Sequence, residues 1–197
     1  MVDAAIGRLL IASLHQGIAD IAPTRLDFYE NWLSPTGLRD GRMGLAPLGA
    51  VLSFLHREPP PADHEIPDRA GRCAAEWAWS SVSGARKALI RRLPLGLRTR
   101  AALGLCRRLA REAIGQSSVS WRLRRGRARV DIQSAIFEYL RQPSAAPMRR
   151  FYASAFRECL LQCDIEAHVT VEEAAGCRLA VEVIGDRAPT QALLDVA

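Results

Sequence analysis

Residues 118–133 read SVSWRLRRGRARVDIQ, and their period decides the fold. Val119, Trp121 and Leu123 alternate with Ser120, Arg122 and Arg124. After Arg125 and Gly126 the alternation resumes, with Ala128, Val130 and Ile132 against Arg127, Arg129 and Asp131. Period two on both sides of a short turn predicts an antiparallel hairpin. The apolar run 135–137 extends its second strand in this reading.

Upstream of the hairpin the period is helical. Ile6, Leu9, Leu10, Leu14, Ile18 and Ile21 lie on one stripe of a helix that Pro23 ends. Residues 25–33 make a second short helix, with Tyr29 and Trp32 about a turn apart, and residues 48–56 a third. The run EPPPADHEIP (58–67) reads as a surface connection, because successive prolines oppose helix continuation. Residues 68–91 read as the longest helix, with Ala70, Cys73, Ala74, Trp77 and Ser81 on its inner stripe. Another helix spans 98–114, with Arg100, Arg107, Arg108 and Arg111 outward.

Downstream, residues 148–163 form an amphipathic helix carrying Phe151, Tyr152, Phe156 and Leu160. Residues 168–183, HVTVEEAAGCRLAVEV, form a second hairpin whose apolar face is Val169, Val171, Leu179, Val181 and Val183. Two hairpins can join into one antiparallel sheet with helices packed on a face, an α+β architecture. Residues 1–185 are read as one domain and 186–197 as a frayed tail.

Composition narrows the function classes. The chain has 197 residues, 49% of them hydrophobic, enough for a real core. Its net charge of +6 permits nucleic acid, an anionic membrane surface or a carboxylate-bearing small molecule as partner. Five irregularly spaced cysteines argue against a disulfide scaffold and for a reducing cytoplasm. A secretory leader and a membrane span are not expected, since no long apolar run is present.

Three constellations could carry chemistry. Cys163, Glu166, His168, Glu172, Glu173 and Cys177 have metal-ligand character but lack paired short spacings, so a solvated hairpin with a small buried cysteine competes with zinc. RLRRGRAR (122–129) holds five arginines in eight residues and could grip phosphates. Alternation, however, puts Trp121 on the face opposite Arg122, away from where a stacking base would need it. Tyr29, Trp32, Phe54, Trp77, Trp79 and Phe151 could line a pocket for a flat apolar ligand or simply form core. The four histidines are scattered, and no nucleophile elbow, dinucleotide fingerprint or zinc-protease motif is present.

The helix–hairpin end, FYASAFRECLLQCDIEAHVTVEEAAGCRLAVEV (151–183), resembles the C-terminal signature of the 4-vinyl reductase domain family, whose fold is Bet3-like. The matching residues are Phe151-Tyr152, Val171-Glu172-Glu173, Gly176 and Cys177-Arg178-Leu179. The upstream hairpin and AGRCAAEW (70–77) are compatible with it, so the resemblance spans about the last two thirds of the chain. Within that family the chain looks closest to the bacteriochlorophyll-synthesis branch, associated with reducing the vinyl group of a chlorophyllide precursor. The resemblance implies a homodimer, a partner enzyme of pigment synthesis and a tetrapyrrole ligand. Some members hold zinc through cysteines and a glutamate near this hairpin. Here Ala174 or Ala175 stands where the first cysteine would fall, leaving Glu172 and Cys177 as metal candidates.

The leading expectation is therefore an accessory or binding protein for a tetrapyrrole intermediate. Trp32, Trp77 and Tyr152 are the expected pocket, and Arg122 and Arg124 the expected carboxylate contacts. The rivals are a vinyl reductase, for which no reductant site is evident, a small hydrophobic-ligand sensor or scaffold, and an Arg-rich nucleic-acid binder.

Overall fold

The computed structural model describes residues 6–33, 44–140, 144–172 and 176–187. Among them, eight α-helices pack against one four-stranded antiparallel sheet, the expected α+β architecture. The helices are α1 (Arg8–Ile21), α2 (Leu26–Glu30), α3 (Leu45–Leu55), α4 (Ala62–Ser80), α5 (Gly84–Arg92), α6 (Leu95–Ala113), α7 (Ala135–Tyr139) and α8 (Ala146–Gln162). The strands are β1 (Ser118–Arg124), β2 (Arg127–Gln133), β3 (Ile165–Glu172) and β4 (Cys177–Asp186). Their order in the sheet is β1-β2-β4-β3, so each hairpin contributes one central and one edge strand.

The first hairpin closes as its alternation predicts. Arg125 (φ 48°) and Gly126 (φ 77°) both take the left-handed conformation of a two-residue hairpin turn that matches strand twist. Glycine takes the second position without the Cβ penalty other residues would meet there.

The core lies between the helices and one face of the sheet. Val119, Ala128, Val130, Ile132, Val169, Leu179 and Val181 are buried there. Phe151, Phe156 and Leu160 of α8 are fully buried in the same core. α8 packs most extensively on α4, and the two approach closely at Gly71. A Cβ on Gly71 would collide with the Phe151 carbonyl and lie 2.9 Å from the Ala155 nitrogen. The Ser154 hydroxyl donates to the Asp68 carbonyl at 2.7 Å across the same seam.

Four local expectations are corrected. The 58–67 connection is half helical, because α4 begins at Ala62. Pro67 is tolerated in its second turn, where the missing N–H forfeits one bond near the helix start. Asp63 and Glu65 favour that start by placing acid at the positive end of the helix dipole. The expected 68–91 helix breaks after Ser80: the Ser80 and Ser81 hydroxyls donate back to the Trp77 and Ala78 carbonyls at 2.7 Å each, and Ser83 turns extended to start α5. Residues 135–137 are helical, not strand; pairing of β2 with β1 ends at Gln133 and Ser118, and Ser134 leads into α7. Val171, expected in the core, is 39% exposed near the end of edge strand β3.

The expected tail boundary also moves. β4 continues to Asp186, whose carboxylate pairs with the buried Arg98, and the Arg187 N–H donates to the Asp164 carbonyl at 3.0 Å. Residues 188–197 lie outside the described residues.

Candidate functional site

The sheet's second face is open and charged. Register places its side chains in three rows running across the strands. One row is Arg124, Arg127, Glu182 and His168; the next is Arg122, Arg129, Ala180 and Thr170; the third is Ser120, Asp131, Arg178 and Glu172. These residues border a shallow depression of about 990 Å³. A second depression of about 880 Å³ adjoins the turn at Arg125 and Gly126.

Charge is unevenly shared within the rows. Arg127 pairs with Glu182 at 2.8 Å, Arg178 with Asp131 at 2.6 Å, and Arg129 with Glu172 at 3.4 Å. Those three pairs use all three carboxylates of the rows. Arg122 and Arg124, on edge strand β1, pair with no carboxylate among the described residues. Each faces another arginine directly across the ladder, Arg122 opposite Arg129 and Arg124 opposite Arg127. Like charges opposite one another cost stability. Two such pairs side by side form a cationic edge that a bound anion would relieve.

The expected aromatic pocket is not assembled by Trp32, Trp77 and Tyr152. Trp32, 39% exposed, packs its ring 5.6 Å from that of Phe54 beside α2. Trp77 is 38% exposed on α4, where the inner stripe runs instead through Ala70, Ala74, Ala75 and Trp79. Tyr152 is fully buried, with its ring 5.4 Å from Phe151 and 6.1 Å from Phe137. No ring contact joins any two of the three among the described residues.

Burial, with a smaller contribution from Cys177, raises the pKa of the Tyr152 phenol above its ordinary value. The Ser117 hydroxyl beside it partly offsets the shift, yet neither hydroxyl reaches a partner at bonding geometry among the described residues. Tyr152 therefore belongs to the core beneath the sheet, on the side away from the arginine rows.

The two metal candidates do not converge. Glu172 lies opposite Arg178 on the open face and is held by Arg129. Cys177, one residue before Arg178, points to the buried face. Burial pushes its thiol up to about 12, against an opposing pull from Arg149. A thiol held protonated is a poor zinc ligand, because the thiolate is the form that binds. Glu173, Ala174 and Ala175 lie outside the described residues.

Of the expected site residues, Arg122, Arg124 and Glu172 share the open face; Glu172 is taken up by Arg129, and the cross-strand neighbours Arg127 and Arg129 complete the arginine cluster. Alternation had already placed all four arginines on one face. What it could not supply was the β2–β4 pairing that decides which of them meet an acid. No family model, curated protein or solved structure matches this chain.

Proposed function

We propose that the protein is a binding or accessory protein for a flat, carboxylate-bearing ligand taken on the open face of the sheet. Its carrying observation is the pair Arg122 and Arg124, without acid partners among the described residues and each set against a second arginine. Guanidinium groups bind carboxylates through two parallel hydrogen bonds and stack on planar π systems, so one edge strand can supply both contacts. The depression of about 990 Å³ is at the upper end of the volumes that small-molecule sites use.

A tetrapyrrole intermediate of bacteriochlorophyll synthesis is the candidate ligand, on the resemblance of residues 151–183 to the 4-vinyl reductase domain family. In this reading the protein presents the intermediate to a partner enzyme that reduces its vinyl group, in the cytoplasm and as a homodimer.

Titration of the full chain with a dicarboxylic chlorophyllide precursor tests this. A saturable change in pigment absorbance at micromolar concentration is the expected result. Arg122→Ala and Arg124→Ala should each weaken binding about tenfold, the worth of a charge-assisted hydrogen bond. No absorbance change at those concentrations, or equal affinity in the double variant, overturns the reading. Retention of single-stranded nucleic acid by the same arginines, with a steep loss in salt, would reassign the face to a polyanion.

A further inference from the structure

The chain's charge is segregated far more strongly than its net value suggests. Residues 77–130 hold fourteen of the 27 Lys and Arg and a single acid, Glu112, for a net +13. The rest of the chain carries thirteen cations against twenty acids, a net −7. The basic segment comprises α5, α6 and the β1–β2 hairpin, and α6 lies against both α5 and β1. The Arg107 guanidinium sits 5.4 Å from the centre of the Trp121 ring, which ties α6 to the edge of the sheet.

At the corner between α5 and α6 the basic surface also carries apolar side chains. Leu89 is 63% exposed, the highest among the large hydrophobic residues described, and Leu97 is 49% exposed. Arg86 and Arg92 lie three residues to either side of Leu89 and so share its side of the helix. Arg100 stands in the same relation to Leu97. All three arginines are exposed, and none pairs with a carboxylate among the described residues. α5 buries only Ile90 and is anchored by other cations: Lys87 and Arg91 lie over the Trp79 ring at 5.4 and 5.8 Å, and Arg91 pairs with Asp164 at 3.2 Å. The anchoring cations and the outward arginines are therefore different residues.

We propose that the α5–α6 corner docks the protein peripherally on an anionic lipid surface. Leucines flanked one turn away by arginines suit an interface where apolar side chains enter the acyl boundary and guanidinium groups meet phosphate. A nucleic-acid backbone would satisfy the arginines but leave both leucines in water, so lipid is the occupant the surface fits. Docking is peripheral because no helix among the described residues is long and apolar enough to cross a membrane. This surface is separate from the ligand face, and its test does not depend on any pigment.

The test is co-sedimentation of the full chain with phosphatidylcholine vesicles containing about 30% phosphatidylglycerol, beside phosphatidylcholine alone, at about 0.05 M salt. Binding is expected on the anionic vesicles only and should be lost at about 0.5 M salt. Combined Arg86→Ala, Arg92→Ala and Arg100→Ala should lower the partition coefficient about 100-fold, roughly fivefold per charge. Combined Leu89→Ser and Leu97→Ser should lower it at least about tenfold. These side chains are exposed, and an unchanged circular dichroism melt confirms that the variants fold. Equal partition into neutral and anionic vesicles overturns the proposal, as does wild-type binding by the arginine variant. Wild-type binding by the leucine variant also overturns it, and the same arginine dependence for single-stranded DNA would then assign the corner to nucleic acid.

Discussion

The two faces of the one sheet are built from alternate residues of the same strands, and they answer to different physics. On the inner face Val130, Ile132, Leu179 and Val181 lie in the shared core with almost no exposure, and burying each lowers the free energy of folding. On the outer face Arg122 meets Arg129 and Arg124 meets Arg127, arrangements that raise it. The acids on β3 and β4 pair with the second member of each couple, and the first has no acid partner among the described residues. A face selected for stability alone would place Glu or Thr opposite Arg129. The contrast separates side chains that hold the sheet from side chains that the sheet holds out.

The inner face should be the more sensitive by a wide margin. Phe156→Ala removes a fully buried ring from the middle of α8 and should cost about 3–5 kcal/mol in urea denaturation. A loss below about 1 kcal/mol would mean that the helix–sheet layer is not the core described above.

Alkali attacks the same core through its thiols. Burial pushes both Cys163 and Cys177 up to about 12. In the unfolded chain they ionise near about 8.5, so above that pH the unfolded state loses protons first. Their contribution to stability is complete below about pH 8.5 and is lost as the pH rises towards 12, by at most about 1.4 kcal/mol per pH unit for each thiol. Cys177→Ala should flatten the decline measured between about pH 9 and 11. An identical slope in the variant would show that this thiol does not stay protonated in the folded protein.

The two faces also differ in how much of them the sequence disclosed. Alternation in 118–133 was enough to locate the first hairpin and to divide its residues between faces, because a period of two has one geometric meaning in a strand. The same rule located β3 and β4, but it could not foresee that an edge strand leaves Val171 partly uncovered. Helix ends were harder to read. Ser80, Ser81 and Ser83 break 68–91 by hydrogen bonds and backbone turns that hydrophobic spacing does not register. Trp77 fell on the wrong side for a related reason: a stripe through Ala70 and Ala74 can continue to either 77 or 78–79, and small residues do not say which. The arginines were visible from the start. Which of them meet an acid among the described residues follows from the β2–β4 pairing, which brings together residues about fifty apart in the chain, as Arg127 and Glu182 show.

The smallest expected effect is the one that separates the faces most directly. Arg122→Glu replaces a like-charge pair with an opposite-charge pair across the ladder from Arg129. At exposed positions such a change should stabilise the sheet by about 0.2–1 kcal/mol, read as a slightly higher urea midpoint with an unchanged slope. The gain should shrink in high salt, because screening weakens both the repulsion removed and the attraction added. The same substitution should abolish pigment binding, since it sets a carboxylate where the ligand's own carboxylate would sit. Stability rising while binding falls is the behaviour of a residue kept for recognition at the expense of folding. If Arg122→Glu instead destabilises the protein, the guanidinium has a structural partner, and the outer face follows the same rule as the inner one.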